Sequence, residues 1–304
     1  MISPPFRPGY PTRYTAAPRG IVQPGGAGEA PVSSQNRWTA GTRAGKRDRC
    51  YTPSRCSVWG ATLVSVFTDR ILVMPSRIEA VLFDLDETLT DRAASLAKYA
   101  ALFHREFVGL LSAVSVGNVE STFVALDQRG YRPREEVYAG IAKQLPWASA
   151  PATSAIRDHW RTWFPRLAVG RVGLHETLAA LAAAGVRLGV VTNGSVLGQS
   201  AKIAHLGIGQ YFSTVVISEA ANCEKPDPRI FRYALEEIGC LATATLFVGD
   251  HPLNDVVGSA DAGLVPVWFE GIHAWPSPHA VPQRRIRALS EVLEFASPQP
   301  RDAA

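Results

Sequence analysis

From residue 78 onward, apolar and polar positions follow a pattern that predicts strands and helices in turn. Five short runs are almost continuously apolar, which is typical of parallel strands covered on both faces. They are EAVLFDL (79–85), RLGVVT (187–192), STVVIS (213–218), TLFVGD (245–250) and LVPVWF (264–269). Helices are predicted at LHETLAALAAAG (174–185), at PRIFRYALEEIG (228–239) and near DVVGSADAG. This alternation predicts an α/β protein with a doubly wound parallel sheet, which binds ligands at the carboxyl ends of its strands.

The interval between residues 92 and 171 interrupts this pattern. It contains no convincing strand, and three stretches carry apolar residues at helical spacing: RAASLAKYAALFHREFVGLL, REEVYAGIAKQL and TSAIRDHWRTWF. Aromatic residues at that spacing, Trp160 among them, are expected in a core rather than at a ligand. We therefore expect residues 74–91 and 172–304 to form the α/β core. Residues 92–171 should form a small helical domain that is inserted after the first strand and covers the strand ends.

The first 73 residues differ from the rest of the chain in composition and charge. They are rich in Pro, Gly, Arg, Ser and Thr and lack any periodicity, so they are expected to be disordered or to lie upstream of a true start at Met74. They hold nine arginines and one lysine against three acidic residues, a net charge of +7. Because the whole chain carries +4, residues 74–304 carry −3, which argues against nucleic acid as a partner.

Membrane and disulfide classes are also disfavoured. The apolar run SVWGATLVSVF (57–67) is too short to span a bilayer, so no membrane association is expected. The four cysteines have neither CxxC spacing nor nearby histidines, which indicates reduced thiols in a cytoplasmic protein.

Residues that can carry chemistry stand at the ends of four predicted strands. In chain order they are Asp84 with Asp86, Thr192 with Asn193 and Gly194, Lys225, and Asp250 with Asp255. Four carboxylates crowd into residues 84–91, and their mutual repulsion would be relieved by a divalent cation. A cation that binds both a carboxylate and a phosphate ester also removes the charge barrier to attack on phosphorus. The crowded carboxylates therefore predict a site for Mg²⁺ as the cofactor.

Four motifs in the order FDLDETLTD, VVTNGS, EKPDP and FVGDHPLND resemble those of the haloacid dehalogenase-like hydrolase superfamily. The resemblance extends from residue 78 to about residue 295 and is greatest to the phosphatase branch. It implies a Rossmann-like α/β core with a small helical cap domain, and a small phosphorylated metabolite as the expected substrate. Members often have Gly where this chain has Asn222, and Asn is expected to preserve the left-handed backbone there.

The resemblance and the chemistry together assign roles. Asp84 is the expected nucleophile, which forms an aspartyl-phosphate, and Asp86 is the expected general acid and base. The resemblance places the metal on the Asp84 carboxylate, the Asp86 backbone carbonyl and the Asp250 side chain. Phosphoryl oxygens would be held by the residues Thr192, Asn193, Gly194 and Lys225. Asp255 would support Lys225 or a metal-bound water.

Other functions remain open for the same fold. A 2-haloacid dehalogenase also uses a nucleophilic aspartate, but it needs neither Asp86 nor a metal, because halide leaves without a proton. A phosphomutase differs in the acceptor of the phosphoryl group. A catalytically silent binding protein is disfavoured by the complete set of motif residues. A monomer and a homodimer are both compatible with the sequence.

Overall fold

The computed structural model of the chain describes residues 77–296, so the predictions for residues 1–73 lie outside the described residues. The strands are β1 (Ala80–Phe83), β2 (Thr90–Asp91), β3 (Val169–Gly170), β4 (Arg187–Thr192), β5 (Thr214–Ile217), β6 (Thr245–Gly249), β7 (Val265–Phe269) and β8 (Arg285–Ile286). The helices are α1 (Arg92–Phe107), α2 (Val116–Asp127), α3 (Arg134–Gln144), α4 (Thr153–Trp163), α5 (Leu174–Ala183), α6 (Val196–Leu206), α7 (Ser218–Ala221), α8 (Pro228–Ile238), α9 (Gly258–Asp261) and α10 (Val292–Ala296).

Six of the strands form one parallel sheet in the order β5–β4–β1–β6–β7–β8. The fold class predicted from the sequence is thereby confirmed, and all five predicted strands belong to this sheet. β8 was not predicted, since two residues are too few to carry a periodic signal. The chain builds the sheet outward from β1 on one side and then from β6 on the other. Ligands of such sheets bind in the crevice outside the strand ends, where this strand order reverses.

Both faces of the sheet are covered, as continuous apolar strands require. In β1, Val81 and Phe83 pack in one buried cluster, which also holds apolar residues of α5 and α10. Ala80 and Leu82 point to the other face and pack in a second cluster with residues of α8. Both ends of α8 are capped: Asp227 accepts a hydrogen bond from the Arg229 N–H, and Gly239 ends the helix in the left-handed region.

A third apolar cluster lies entirely within the helical insert, which we define as residues 92–168. Its largest fully buried members are aromatic, namely Tyr99, Phe103 and Phe123. Helix α2 was not predicted, although it supplies Phe123 to this core. The expectation of no strand in the interval was wrong in one detail, because Val169–Gly170 pairs antiparallel with Thr90–Asp91 as a short ribbon.

Two local predictions can be compared with the backbone. Asn222 adopts the left-handed conformation with φ 55°, as predicted. The helix expected near DVVGSADAG is present: a π-helical turn (Pro252–Val257) runs directly into the short α9. Among residues 77–296, no helix combines the length and apolarity needed to cross a membrane.

Candidate active site

The ends of β1, β4 and β6 bring three predicted site residues to one edge of the sheet. These strands are neighbours, and Asp84 directly follows β1, Thr192 ends β4 and Asp250 directly follows β6. The Asp84 N–H donates to the Val248 carbonyl at 2.9 Å, which continues the β1–β6 pairing up to the site. All three side chains are buried, with Asp84 the most exposed at 7%.

Lys225 links two carboxylates that come from different parts of the chain. Its Nζ lies 2.6 Å from Asp84 Oδ1 and 2.7 Å from Asp255 Oδ1. Burial acts to lower the pKa of Lys225, but the two carboxylates outweigh burial and raise it, so the lysine stays charged. Asn193 fixes the lysine backbone from both sides: its Oδ1 accepts from the Lys225 N–H at 2.9 Å, and its Nδ2 donates to the Lys225 carbonyl at 3.0 Å.

The carboxylates of Asp84, Asp250 and Asp255 form a compact acidic cluster. One oxygen from each lies within 4.8 Å of the other two. Burial raises the pKa of Asp84, and the neighbouring Asp255 and Asp250 raise it further against the effect of Lys225. Three buried carboxylates beside a single lysine leave negative charge that a further cation would neutralise.

Asp250 has an oxygen free for such a cation. Its Oδ1 accepts from the Thr88 hydroxyl at 3.2 Å, while its buried Oδ2 has no hydrogen-bond partner in the described part of the chain. His273 Nε2 lies 3.2 Å from Oδ2, but not in hydrogen-bonding geometry. Since Mg²⁺ prefers oxygen ligands, this donor set fits a magnesium ion.

Close packing after β6 places Asp255. A Cβ on Gly249 would fall 2.4 Å from the Asp255 Cβ, so only glycine permits this approach. The His251 N–H donates to Asp255 Oδ2 at 2.9 Å, and Lys225 occupies Oδ1. Both Asp255 oxygens are therefore engaged, which makes this residue a support for Lys225 and not a free ligand.

Asp86 lies apart from the acidic cluster and is held by two residues of α6. Lys202 Nζ lies 2.6 Å from both of its carboxylate oxygens, and Gln199 Nε2 donates to Oδ2 at 3.1 Å. Arg92 from the insert approaches Oδ1 at 3.6 Å. Burial alone would raise the pKa of Asp86, but Lys202 and Arg92 outweigh it and lower the pKa, so the carboxylate is the resting form.

The pKa of Lys202 is lowered, although the Asp86 carboxylate lies beside it. Burial lowers the pKa of Lys202, Asp86 opposes this, and the nearby Arg92 adds to the lowering. Asp86 faces two cations, whereas Lys202 faces one anion and further positive charge, so the two shifts are compatible. Neither Lys202 nor Gln199 was predicted as a site residue.

The expected phosphoryl-binding residues lie at the end of β4 and the loop after it. Gln199 Nε2 donates to the Thr192 hydroxyl at 2.6 Å. The Gly194 N–H donates to Ser218 Oγ at 2.9 Å, so the donor expected to face phosphate is already engaged. Ser195 caps α6 by accepting a hydrogen bond from the Gly198 N–H.

Glu87 joins the site to the insert. Its φ is 62°, and its side chain is buried, with Oε1 3.2 Å from Arg129 Nη1 of the insert. Arg171 Nη2 donates to the Glu87 carbonyl at 2.7 Å and lies 3.3 Å from Oε2. Glu87 is not among the catalytic residues predicted from the sequence. Its contacts with Arg129 and Arg171 give it a structural role.

A cavity of about 660 Å³ lies between the strand ends and the insert. Its volume is within the range of small-molecule sites. From the core, the residues that line it include Asp84, Asp86, Thr192, Asn193, Gly194, Lys202, Lys225 and Asp255. From the insert, they include Arg92, Arg129, Tyr131, Arg134, Tyr138, Trp160, Arg161 and Phe164.

A doubly wound sheet with aspartates and a lysine at its strand ends, roofed by a helical insert, defines a class of α/β hydrolytic enzymes. The chain belongs to the haloacid dehalogenase-like hydrolases, whose family model matches residues 78–263. This confirms the resemblance drawn from the four motifs.

Several known proteins are similar to this chain. The glyceraldehyde 3-phosphate phosphatase of Pyrococcus abyssi is 30% identical over 195 residues, which are 64% of this chain and 82% of that protein. The phosphoserine phosphatase of Thermus thermophilus is 38% identical over a shorter match of 109 residues, 36% of this chain and 44% of that protein. The crystal structure of the HAD-hydrolase YfnB from Bacillus subtilis, bound to magnesium, superposes with a TM-score of 0.60 at 22% identity. That match covers 72% of this chain and 99% of YfnB.

Proposed function

We propose that this hydrolase is a Mg²⁺-dependent phosphatase that acts on a small phosphorylated metabolite through an aspartyl-phosphate on Asp84. The observation that carries the proposal is the cluster of Asp84, Asp250 and Asp255 within 4.8 Å, with Lys225 bridging two of the three. Similarity to proteins named as phosphatases, and to a structure determined with magnesium, supports it.

Magnesium would be held by the carboxylates of Asp84 and Asp250, and by the Asp86 carbonyl that the family resemblance adds. The unpartnered Asp250 Oδ2 and the raised pKa of Asp84 both favour a cation at this place. When bound, the ion supplies positive charge that offsets the repulsion between the nucleophile and the phosphate ester. Asp255 supports Lys225 in this scheme.

The first chemical step belongs to Asp84 and Asp86. An Asp84 oxygen attacks phosphorus, and the bond between phosphorus and the leaving oxygen breaks as Asp86 gives that oxygen a proton. Because Lys202 and Arg92 keep Asp86 ionised in the substrate-free protein, its proton must be taken up as substrate binds. A nearby phosphoryl dianion disfavours a second negative charge and so promotes this uptake.

The second step returns the enzyme to its starting state. Asp86, now a carboxylate, removes a proton from a water molecule that attacks the phosphorus of the aspartyl-phosphate. The bond between Asp84 and phosphorus breaks, and inorganic phosphate leaves. Thr192 and the Asn193 N–H, with Lys225, would hold the phosphoryl oxygens through both steps, since phosphoryl transfer depends on positioning and electrostatics.

Hydrolysis of p-nitrophenyl phosphate with and without Mg²⁺ tests the proposal. We expect Mg²⁺-dependent release of nitrophenol that EDTA abolishes and that added Mg²⁺ restores. In parallel, 2-chloropropionate is tested for chloride release. We expect none, because the presence of Asp86 as a proton donor indicates phosphoryl transfer and has no role in dehalogenation. Chloride release without phosphatase activity would replace the proposal with the dehalogenase reaction.

A further inference from the structure

The insert lines its side of the cavity with cations and hydrogen-bond donors. Its basic lining residues are Arg92, Arg129, Arg134 and Arg161. The carboxylates that line the cavity are Asp84, Asp86, Glu87, Glu224 and Asp255, all from outside the insert. The cavity is therefore polarised, with its acidic end at the strand ends and its basic end under the insert.

Three of these four arginines already have carboxylate partners. Arg92 Nε and Arg134 Nη1 lie 2.7 Å and 2.6 Å from the buried Asp127, and Arg129 lies 3.2 Å from Glu87. Arg161 differs, since no carboxylate within residues 77–296 forms an ion pair with it. Arg161 is exposed to solvent, and it is the one of these four lining arginines without an ion-pair partner among the described residues.

Two further polar side chains of the insert, Tyr138 and Trp160, also line the cavity. Tyr138 is 3% exposed and Trp160 is 4% exposed, and their ring centroids lie 6.2 Å apart. In the described part of the chain, neither the Tyr138 hydroxyl nor the Trp160 indole N–H has a hydrogen-bond partner. Neither polar atom is sealed from solvent, so both are available to a ligand that enters the cavity. Sequence reasoning placed Trp160 in the core, and the structure places it both in the core and at the cavity wall.

A guanidinium and an indole N–H can only donate hydrogen bonds, and a tyrosine hydroxyl can also donate. A ligand that satisfies all three must therefore present acceptor oxygens, and the unneutralised charge of Arg161 favours oxygens that carry negative charge. Contacts connect this place to the proposed general acid: Arg92 lies 3.6 Å from Asp86 and 5.1 Å from the Phe164 ring centroid. The Phe164 centroid is in turn 4.7 Å from that of Trp160.

We propose that Arg161, Tyr138 and Trp160 form a subsite for a second anionic group of the substrate, a carboxylate or a phosphate separate from the transferred phosphoryl group. The inference rests on the proposed phosphatase function and narrows its substrate class to small phosphate monoesters with such a second group.

Matched pairs of esters test the subsite and distinguish its two chemistries. 3-Phosphoglycerate and glycerol 3-phosphate share a three-carbon frame and differ by a carboxylate. Fructose 1,6-bisphosphate and fructose 6-phosphate differ by a phosphate. For at least one pair, kcat/KM should favour the more anionic ester by about tenfold or more, which one charge-assisted hydrogen bond can supply. The pair with the larger preference identifies the group.

Variants assign the preference to named side chains. Arg161→Gln should lower the preferred ratio by about tenfold, mainly through KM, and Tyr138→Phe should lower it by a smaller factor. Arg105→Gln is the matched control, because Arg105 lies on α1, contacts the neighbouring Glu106 and does not line the cavity. It should keep the wild-type ratio.

The outcomes separate the two proposals. Ratios near one for both pairs, with nitrophenyl phosphate still hydrolysed, would overturn the subsite and leave the phosphatase function standing. An equal fall of the ratio in Arg161→Gln and Arg105→Gln would also overturn it. If no ester is hydrolysed in the presence of Mg²⁺, both proposals fail.

Discussion

Lys202 Nζ lies 2.6 Å from both carboxylate oxygens of Asp86, although 116 residues separate the two in the chain. The pair lies at the edge of the cavity, with Gln199 and Arg92 as further partners of the carboxylate. It sets the protonation state of the residue that must both give and take a proton in the proposed reaction.

Lys202→Met should move the acid limb of the pH profile to higher pH. Removing the ammonium raises the pKa of Asp86, because Lys202 is the cation that most lowers it. Nitrophenolate leaves without a proton, so for this ester Asp86 acts only as a base, and it must be ionised for turnover together with the nucleophile Asp84. The measurement is kcat for p-nitrophenyl phosphate against pH. Lys143→Met, at an exposed lysine of α3, is the control, and an unmoved acid limb in Lys202→Met would contradict the assignment.

Asp86→Asn should lose more rate on esters with poor leaving groups. Glycerol 3-phosphate needs a proton on its departing oxygen, whereas p-nitrophenyl phosphate does not. We expect a loss on glycerol 3-phosphate that exceeds the loss on p-nitrophenyl phosphate by about a hundredfold. The measurement is kcat/KM of the wild-type protein and of Asp86→Asn on both esters. Equal losses on the two esters would argue against proton donation by Asp86.

Asp84→Asn should reduce turnover of p-nitrophenyl phosphate by about a thousandfold or more, because an amide oxygen is a poor nucleophile. Wild-type protein quenched in acid during turnover should carry a phosphoryl group on Asp84 that mass spectrometry of peptides locates. Asp227→Asn is a suitable control, since Asp227 is an N-cap outside the cavity lining and Asn caps equally well. Full turnover by Asp84→Asn would refute the nucleophile assignment.

Asp250→Asn should weaken Mg²⁺ binding. Outer-sphere changes at metal sites commonly cost about 10- to 100-fold in affinity, so loss of a direct ligand should raise the Mg²⁺ concentration for half-maximal activity at least tenfold. Stabilisation of the protein by Mg²⁺ in thermal unfolding should shrink in parallel, because it depends on the same affinity. Asp261→Asn, at an exposed position of α9, should leave both measurements unchanged.

Asp127→Asn should destabilise the protein by about 3 kcal/mol, since it removes the buried carboxylate shared by Arg92 and Arg134. Burial opposes, but the two arginines outweigh it and lower the pKa of Asp127. Its contribution is therefore complete above the ordinary aspartate pKa and is lost as the pH falls through the lower folded-state value. Urea unfolding measured from neutral to acidic pH should show that the difference in the free energy of unfolding between wild type and Asp127→Asn becomes smaller as the pH falls. Asp158→Asn is the control, and its free energy of unfolding should stay within about 1 kcal/mol of the wild-type value.

The residues predicted from the sequence are those whose position depends on strand ends. Asp84, Thr192 and Asp250 each close a continuous apolar run, and parallel strands bring such ends to one edge, so their convergence could be predicted without coordinates. Asn222 could be predicted because the left-handed conformation restricts which side chains are tolerated.

Contacts between distant segments could not be predicted in the same way. Lys202 follows no local signal, since a lysine on a helix is usually solvated, and only the packing of α6 against Asp86 makes it a site residue. Helix α2 buries Val119, Phe123 and Leu126 at helical spacing, but Gly, Asn, Ser and Thr between them weaken the signal. Arg161 has no ion-pair partner among residues 77–296, and this could not be predicted because it depends on where every carboxylate of that part of the fold lies.

The short β2–β3 ribbon has a thermodynamic consequence. It pairs Thr90 with Gly170 and Asp91 with Val169, so the first and last residues of the long excursion between them are hydrogen-bonded neighbours. The ribbon holds the two ends of this excursion together. The entropy cost of closing the long loop is therefore offset by the ribbon and does not fall on the strand pairing of the sheet. The helical insert can therefore change in sequence, and even in length, without shifting the strand ends that carry the acidic residues.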